Sequence, residues 1–239
     1  MMRAVVFFCV IASALGFTRP SGVRSTTQLL AKSKSVPFLD APKNIDPSVA
    51  GYAGFDPVGF TDRWTDKDWS QQVVPDIWPE PVARKPVTTT EWMQEAEIKH
   101  GRIAMLAIVG WVAVDLGVRM PGSGAVTGSI ANSLAAHNAG VANGTMGVLL
   151  LLCFVLELAG GAAIFEQAKG SGRAPGDFGF DPLGFGKNAA SLKKYKENEI
   201  ANGRLAMLAI VELIRHDSEN FIAGKAEHLI TGLPFLYGN

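Results

Sequence analysis

The chain has 239 residues, of which 48% are hydrophobic and 18% are charged. This composition excludes a disordered chain and is too uneven for an ordinary soluble domain. Basic and acidic residues both number 22, and no basic patch predicts nucleic-acid binding. The two cysteines, Cys9 and Cys153, lie in separate apolar segments, so the sequence predicts no disulfide framework.

The first 31 residues have the composition of targeting sequences. Residues 1–16 hold one arginine, an apolar core and small residues at the end, which is typical of a signal peptide and too short to span a bilayer. Residues 17–31 are rich in hydroxyl side chains and contain no acid, which is typical of a transit peptide. Together they resemble the two-part presequence of nuclear-encoded proteins of red-lineage secondary plastids, which leaves a mature domain at 32–239. The alternative is a secreted protein, which would have no need of the second segment.

Three apolar segments of the mature chain predict long helices at about residues 90–116, 144–168 and 191–216. The second segment has 20 residues, 146–165, with a single charge, Glu157, and about 20 residues is the length that crosses a bilayer. Gly-rich polar loops lie between the helices, and the proline-rich residues 36–87 predict an extended segment along a surface. The predicted fold class is therefore an all-α membrane protein with three transmembrane helices.

Two motifs occur twice in the chain. The stretch "EIKHGRIAMLAI" at 97–108 returns as "EIANGRLAMLAI" at 199–210, and "FDPVGF" at 55–60 returns as "FDPLGF" at 180–185. One helix separates the repeated helices, so both would cross a membrane in the same direction. A two-fold axis along the membrane normal can relate such repeats.

The repeated charges predict ion pairs between the two repeated helices. Arg102 lies about 140° around its helix from Glu97, so these two side chains cannot easily pair with each other. An unpaired arginine in a membrane is costly. If the helices cross at the glycine of each motif, Glu97 can meet Arg204 and Glu199 can meet Arg102. Small residues at the crossing would let the two backbones approach closely.

His100 and Asn202 occupy matched positions, three residues after each repeated glutamate. Both side chains carry lone pairs that can bind a metal, and a glutamate paired with arginine keeps one free oxygen. Each repeat thus offers two axial donors one helical turn apart, a spacing that suits a flat magnesium macrocycle such as chlorophyll. The alternative is that His100 and Asn202 only form hydrogen bonds between helices.

These motifs, "EIKHGRIAML" and "ENEIANGRLAML" with the two FDP motifs, resemble the chlorophyll a/b- and a/c-binding light-harvesting family. The resemblance covers about residue 36 to the C-terminus. It implies three membrane helices, of which the first and third cross about a pseudo-two-fold axis, with short amphipathic helices on the lumenal side. It also implies bound chlorophyll a, chlorophyll c, fucoxanthin-like or related xanthophylls and structural lipids.

The resemblance assigns functions to residues by position. It implies axial ligands of chlorophyll magnesium at Glu97, His100, Glu157, Glu199, Asn202, His216 and His228, although members often carry glutamine at the position of His216 and the offset of His228 is unusual. It implies charge compensation by Arg102 and Arg204, and carotenoid ends seated at Asp56 and Asp181, where turn chemistry is the alternative.

Glu157 stands alone in the middle helix. Its alternative role is to face another helix, but an unpaired glutamate in lipid is costly. Glu166 is either a ligand or a marker of the helix end. Glu212 either orients His216, neutralises Arg215 or adds a ligand. His137 is either solvated or a ligand in a loop.

The function implied is an antenna that transfers excitation energy to a photosystem, with photosystem I favoured by the "SKSVPFL" and "ELIRHD" stretches. Its expected place is the plastid thylakoid membrane, beside photosystem core subunits and neighbouring antenna proteins. No nucleophile–base set, phosphate loop or Cys/His metal cluster predicts an enzyme. The alternatives are a photoprotective quencher of the same fold and, more distantly, a small transporter with parallel repeats.

Overall fold

The computed structural model describes residues 32–63, 87–118 and 133–222. Its regular elements are the helices α1 (Phe60–Arg63), α2 (Thr89–Asp115), α3 (Ser133–Ala142), α4 (Thr145–Ala168) and α5 (Ala189–Ile222). The all-α prediction is thus confirmed for the part of the chain that the structure describes. The predicted signal peptide (1–16), transit peptide (17–31) and His228 lie outside the described residues.

Helix α2 begins and ends with strong local signals. Thr88 and Glu91 form a capping box, in which Thr88 Oγ1 accepts from Glu91 N at 3.2 Å and Glu91 Oε2 accepts from Thr88 N at 3.0 Å. At the other end Gly117 adopts a positive φ of 84°, and Val118 N donates back to Ala113 O at 2.8 Å. This is a Schellman stop, which glycine permits without steric cost.

Helix α4 is the most apolar helix of the described chain. It has 24 residues, and its most apolar 18-residue stretch has a mean hydropathy of 2.5, with only 6% of that stretch buried. Among the described residues it is the one helix whose length and composition suffice to cross a membrane. The repeated helices α2 and α5 carry more charged residues than α4, so their crossing of a membrane remains a prediction.

Helices α2 and α5 cross at the glycine of each repeat. A Cβ atom placed on Gly101 would lie 3.0 Å from the Cα of Gly203, and the converse distance is also 3.0 Å. Ala104 and Ala206, one turn further on, are each 6% exposed. The small residues therefore allow the close backbone approach that the repeat predicts.

Helix α4 runs antiparallel to α2. At one end Val87 and Trp92 pack with Phe165 and Ala168 in a small apolar cluster. Further along α2, Lys99 Nζ lies 2.7 Å from Glu157 Oε2 of α4. Residues later in α2 therefore contact residues earlier in α4, which is the antiparallel arrangement.

The loops before the twin helices also match. Gly51 (φ 74°) lies against Ile200 of α5, and Gly176 (φ 73°) lies against Ile98 of α2. In each case an added Cβ would approach the isoleucine side chain to 2.7 Å. The repeat thus includes how each loop packs on the opposite helix, as well as the helix sequence.

Two elements differ from their predicted extents. Helix α3 begins at Ser133, at the end of a predicted Gly-rich loop. The single hydroxyl hydrogen of Ser133 lies between two acceptors, Asp115 Oδ1 at 2.8 Å from Oγ and Trp111 O at 3.1 Å. Helix α5 begins at 189 and continues to 222, beyond the apolar segment. Arg215 pairs with Glu212 and Glu219 one turn away on either side, and such pairs support a polar helical extension.

Candidate functional site

The crossing of α2 and α5 carries two reciprocal ion pairs. Arg102 Nε lies 2.6 Å from Glu199 Oε1, and Arg204 Nε lies 2.6 Å from Glu97 Oε1. Each glutamate side chain is 32% exposed, and its Oε2 accepts no hydrogen bond from the described residues. Each pair is therefore neutral overall, and one carboxylate oxygen keeps lone pairs that can bind a hydrogen-bond donor or a metal ion.

Both arginines have a second contact that fixes their position. Arg204 Nη1 donates to Gly51 O at 2.9 Å, in the segment that precedes the first FDP motif. The Arg102 guanidinium lies 5.7 Å from the ring centroid of Phe178, close to the second FDP motif. The loops thereby hold the cations that neutralise the repeated glutamates.

His100 and Asn202 both point away from the crossing. His100 Nδ1 lies 2.7 Å from Ala96 O, and a carbonyl oxygen can only accept, so Nδ1 carries the hydrogen and the lone pair belongs to Nε2. The imidazole is exposed, and so is the amide of Asn202. Neither side chain bonds to another helix in the described ranges. Both can therefore donate a lone pair outward.

Glu157 has a partner that sequence reasoning missed. The sequence indicates none on the middle helix, but Lys99 Nζ of α2 lies 2.7 Å from its Oε2. A signal for this pair was present, since Lys99 is a charged residue whose counterpart in the second repeat is Ala201. A charge outside the repeated set has to find a partner outside the repeated helices.

Glu166 and Glu212 are both occupied by local cations. Glu166 Oε1 pairs with Lys169 Nζ at 2.9 Å, at the exposed end of α4. Glu212 contacts Arg215 through both carboxylate oxygens, one of them at 2.9 Å from Nε. This fork-to-fork contact at Glu212 differs from the single contact at Glu166, Glu97 and Glu199, which leaves one oxygen without a partner among the described residues.

The histidines outside the crossing lie in different settings. His216 is half-buried near the end of α5, with Nδ1 at 3.8 Å from Oδ1 of the buried Asp217. His137 is exposed on α3, with Nδ1 at 3.5 Å from Asn138 Oδ1, so it lies on a helix and not in the predicted loop. The structure places neither of them beside the crossing.

Asp56 and Asp181 both cap turns. Asp56 accepts backbone N–H bonds from Phe60 and Thr61 at 2.9 and 3.1 Å, and Asp181 accepts equivalent bonds four and five residues on, at 3.0 and 2.8 Å. Partial burial raises the pKa of Asp56, but hydrogen bonds, chiefly from Thr61, outweigh it and hold the pKa below its usual value. The turn chemistry considered for these residues is therefore present at both.

Two largely apolar cavities flank the crossing. One, of about 780 Å³, is lined by Glu97, Arg204 and the segment around Asp56. The other, of about 920 Å³, is lined by Arg102, Glu199 and residues of the second FDP segment. Both volumes lie in the usual range for ligand sites, roughly 300–1,000 Å³. Each cavity is thus lined by one of the two capping aspartates and by one of the two reciprocal ion pairs.

The buried ion pair between Arg173 and Glu95 was not predicted from the sequence. Glu95 Oε1 lies 3.0 Å from Arg173 Nη2, its Oε2 lies 3.1 Å from Arg173 Nη1, and Gly176 N donates to Oε2 at 2.6 Å. The side chains of Arg173 and Glu95 are 10% and 7% exposed. This bidentate pair holds the loop that leads to the second FDP motif against α2.

Comparison with known proteins gives a consistent assignment. The family model described as Chlorophyll A-B binding protein matches residues 41–218. The chain is 31% identical over 224 residues to the fucoxanthin-chlorophyll a-c binding protein of Chattonella marina var. antiqua, covering 88% of this chain and 85% of that protein. It is 34% identical over 134 residues to the fucoxanthin-chlorophyll a-c binding protein F of Phaeodactylum tricornutum, covering 52% and 64%. The light-harvesting complex stress-related protein 1 of Chlamydomonas reinhardtii is 28% identical over 206 residues, covering 82% and 70%.

Proposed function

This chain belongs to the chlorophyll A-B binding protein family, and we propose that it is a light-harvesting antenna that transfers excitation energy to a photosystem. The observation that carries the proposal is the pair of neutralised glutamates, each with a free oxygen beside an apolar cavity. Photosystem I is the favoured acceptor, on the two sequence stretches that resemble that branch. The partners would be photosystem core subunits and neighbouring antenna proteins.

We propose that α2 and α5 cross the membrane together with α4, related by a pseudo-two-fold axis along its normal. Their 27 and 34 residues exceed the roughly 20 that a span requires. Lys99 of α2 meets Glu157 at the middle of α4, so the charged stretch of α2 lies at the depth of the bilayer centre if α4 spans it. The reciprocal ion pairs would make that depth tolerable, and the matched glycine contacts support the axis.

Glu97, Glu199, His100 and Asn202 are proposed as axial ligands at the crossing. Chlorophyll, when bound, supplies the chromophore and a magnesium that accepts one axial donor. The glutamates offer their free Oε2, His100 offers Nε2, and Asn202 offers its amide oxygen. Because each donor extends from a rigid helix, the residues would set ring position and orientation, on which the rate of energy transfer depends.

The remaining ligand positions follow the family resemblance. Glu157 is proposed as the ligand on the middle helix, through the oxygen that Lys99 does not contact. His216 and His228 are proposed as ligands near the C-terminal end of the third span. Glu212 is assigned to neutralising Arg215, which contacts both of its oxygens, and Glu166 is assigned to neutralising Lys169 at the exposed end of α4. His137 is exposed on α3 and is left as a solvated residue.

The two cavities are proposed as seats for xanthophylls. Asp56 and Asp181 would act through the turns that they cap, which shape the ends of the cavities beside the FDP motifs. The names of two relatives include fucoxanthin and chlorophyll a-c, which supports chlorophyll a, chlorophyll c and a fucoxanthin-like carotenoid here. Structural lipids would cover the apolar faces left exposed, above all that of α4.

The three relatives are named chloroplastic, which supports a plastid location. We propose that residues 1–16 and 17–31 act in turn as a signal peptide and a transit peptide. The mature protein, from about residue 32, would then enter the thylakoid membrane. Protein sequencing of the native N-terminus would test the second cleavage position.

A photoprotective quencher is the second candidate function. The observation that favours it is the similarity to a relative named as stress-related, over 82% of this chain. A quencher and an antenna would bind the same pigments and differ in fluorescence yield. Strongly quenched chlorophyll emission, deepening at low pH, would favour the quencher.

The test is pigment analysis of the gently purified native protein with fluorescence excitation spectra. Several bound chlorophylls, with emission from chlorophyll a on carotenoid excitation, are the result expected of an antenna. Asn202→Leu should lower the chlorophyll count by one, because leucine offers no lone pair. Asn198→Leu is the matched control, since Asn198 is an exposed asparagine one turn earlier on the same helix. An unchanged count in Asn202→Leu would contradict the ligand assignment.

A further inference from the structure

The two cavities beside the crossing differ in the cations that line them. The second cavity, next to the second FDP segment, is lined by Lys196 of α5. The matched residue of the first repeat is Gln94, a neutral amide. Among the described residues that line the first cavity, the one cation is Arg204, which already pairs with Glu97. The two repeats thus give the second cavity an additional positive charge that the first does not have.

The ammonium group of Lys196 has no hydrogen-bond acceptor within the described part of the chain. It lies 3.9 Å from Asp177 Oδ2, a separation too long for a hydrogen bond. The other oxygen of that carboxylate accepts from Gly179 N at 2.9 Å. The side chain of Lys196 is 38% exposed, so most of its stem is covered. Its three N–H donors are therefore available to an occupant of the cavity.

Lys196 lies at the end of the cavity that the second FDP motif closes. Asp177, its loose partner, comes just before that motif in the chain. The neighbouring Tyr195 also lines the cavity, and its ring centroid lies 6.2 Å from that of Phe185, the last residue of the motif. This end of the cavity thus offers aromatic surface to an apolar ring and an ammonium group to an oxygen on that ring.

The first cavity offers different groups at the matched positions. Met93 takes the place of Tyr195, and the free polar groups of the lining are hydroxyls such as those of Tyr52 and Thr90. A hydroxyl group can donate or accept a hydrogen bond, whereas an ammonium group can only donate. Hydrogen bonds from a charged donor are also roughly twice as strong as those between neutral groups. The second cavity therefore favours an occupant with a strong acceptor at its end.

We propose that the second cavity selects a xanthophyll whose end ring carries a carbonyl oxygen, and that Lys196 is the residue that determines this specificity. A carbonyl oxygen only accepts hydrogen bonds, so it matches a cation that only donates them. The first cavity, with Gln94 at the matched position, does not share the preference. The inference rests on the proposed function, in which both cavities seat xanthophylls.

The experiment reconstitutes the chain with chlorophyll and an equimolar mixture of zeaxanthin and canthaxanthin. These carotenoids share one skeleton and carry hydroxyl and keto groups, respectively, on their end rings. Lys196→Met should lower the bound ratio of canthaxanthin to zeaxanthin by roughly two- to threefold, which is what loss of an about tenfold preference at one of two cavities gives. Lys196→Arg should keep the wild-type ratio, because guanidinium is also a charged donor.

The carbonyl stretching frequency of bound canthaxanthin is the second readout. A hydrogen bond from an ammonium group weakens the C=O bond, so the wild type should show a population with a lower frequency than canthaxanthin in an apolar solvent. That population should disappear in Lys196→Met and persist in Lys196→Arg. Lys194→Met is the matched control, since Lys194 is exposed on the same helix and does not line the cavity. It should change neither the ratio nor the frequency.

The outcomes separate the inference from the proposed function. A wild type that binds both carotenoids but lacks the low-frequency population would overturn the inference alone, without recourse to any variant. An equal ratio in wild type and Lys196→Met, or an equal decrease in Lys194→Met, would also overturn it. A wild type that binds no carotenoid would overturn the proposed seats and the inference together. Chlorophyll content and circular dichroism establish that each variant is folded.

Discussion

Removing Arg173 should destabilise the protein by more than any change of an exposed cation. Arg173 makes a bidentate contact with Glu95, and it also donates to Gln167 Oε1 at 3.1 Å and to Asp177 O at 2.5 Å. In Arg173→Met the Glu95 carboxylate, 7% exposed, keeps Gly176 N as its hydrogen-bond donor. The variant therefore leaves a buried charge without its cation.

The expected cost is about 3–5 kcal/mol, the usual range when one partner of a buried ion pair is removed. For a chain of this size each kcal/mol lowers the thermal midpoint by about 2–4 °C, so the decrease should be roughly 6–20 °C. Adding Glu95→Gln should recover most of that loss. The amide removes the buried charge, and its oxygen can still accept from Gly176 N.

The assay is thermal release of pigment followed by circular dichroism, with midpoints compared between variants of the pigmented protein. Because unfolding with bound cofactors is not two-state, the ranking of midpoints carries the result. Glu197→Gln is the control for Glu95, since Glu197 is its exposed counterpart in the second repeat. Lys194→Met is the control for Arg173, as an exposed cation whose loss should cost within about 0.5 kcal/mol.

Two results would refute this reasoning. An Arg173→Met midpoint equal to that of Lys194→Met would mean that the ion pair between Arg173 and Glu95 does not contribute to stability. A double variant as unstable as Arg173→Met would mean that the loss comes from the packing of the arginine and not from the charge left on Glu95.

Two further predictions concern the crossing and the first turn cap. Gly101→Leu should separate α2 from α5 and abolish stable pigment binding, because even a Cβ there would lie 3.0 Å from Gly203 Cα. The control is Gly110→Ala, whose added Cβ meets open space. This variant should bind pigment normally in the same reconstitution. The pKa of Asp56 is lowered in the folded state, so its stabilising effect is present above its unfolded pKa of about 3.9 and is lost as the pH falls through the lower folded value. Thermal midpoints of the wild type and Asp56→Asn should therefore converge only below about pH 4, and convergence at pH 6 would contradict this cap.

Repetition explains what could be predicted from the sequence. A charge that recurs at the same place in two apolar helices needs a partner at the same depth, and the other copy supplies it. This reasoning led to the pairs Glu97–Arg204 and Glu199–Arg102, both at 2.6 Å in the structure. Glycine at the same place in both motifs likewise located the crossing.

Contacts of unrepeated residues could not be predicted in the same way. Arg173 lies in a Gly-rich loop, and no periodicity relates it to Glu95, 78 residues earlier. Lys99 and Glu157 are 58 residues apart on helices whose relative register the sequence does not reveal. Such pairs depend on how the helices are placed in space, whereas pattern analysis describes each helix alone.

The unrepeated charges also account for contacts that hold α4 against α2. Two equivalent helices would offer α4 two equivalent positions. Lys99 of α2 neutralises Glu157 at the middle of α4, and its counterpart on α5 is Ala201, so the second repeat has no cation at the matched position. The loop after α4 is likewise fastened to α2, because Arg173 pairs with Glu95, while the counterpart Glu197 remains exposed on α5. The duplicated residues thus build the crossing, and the residues in which the two copies differ place the single helix on one side of it.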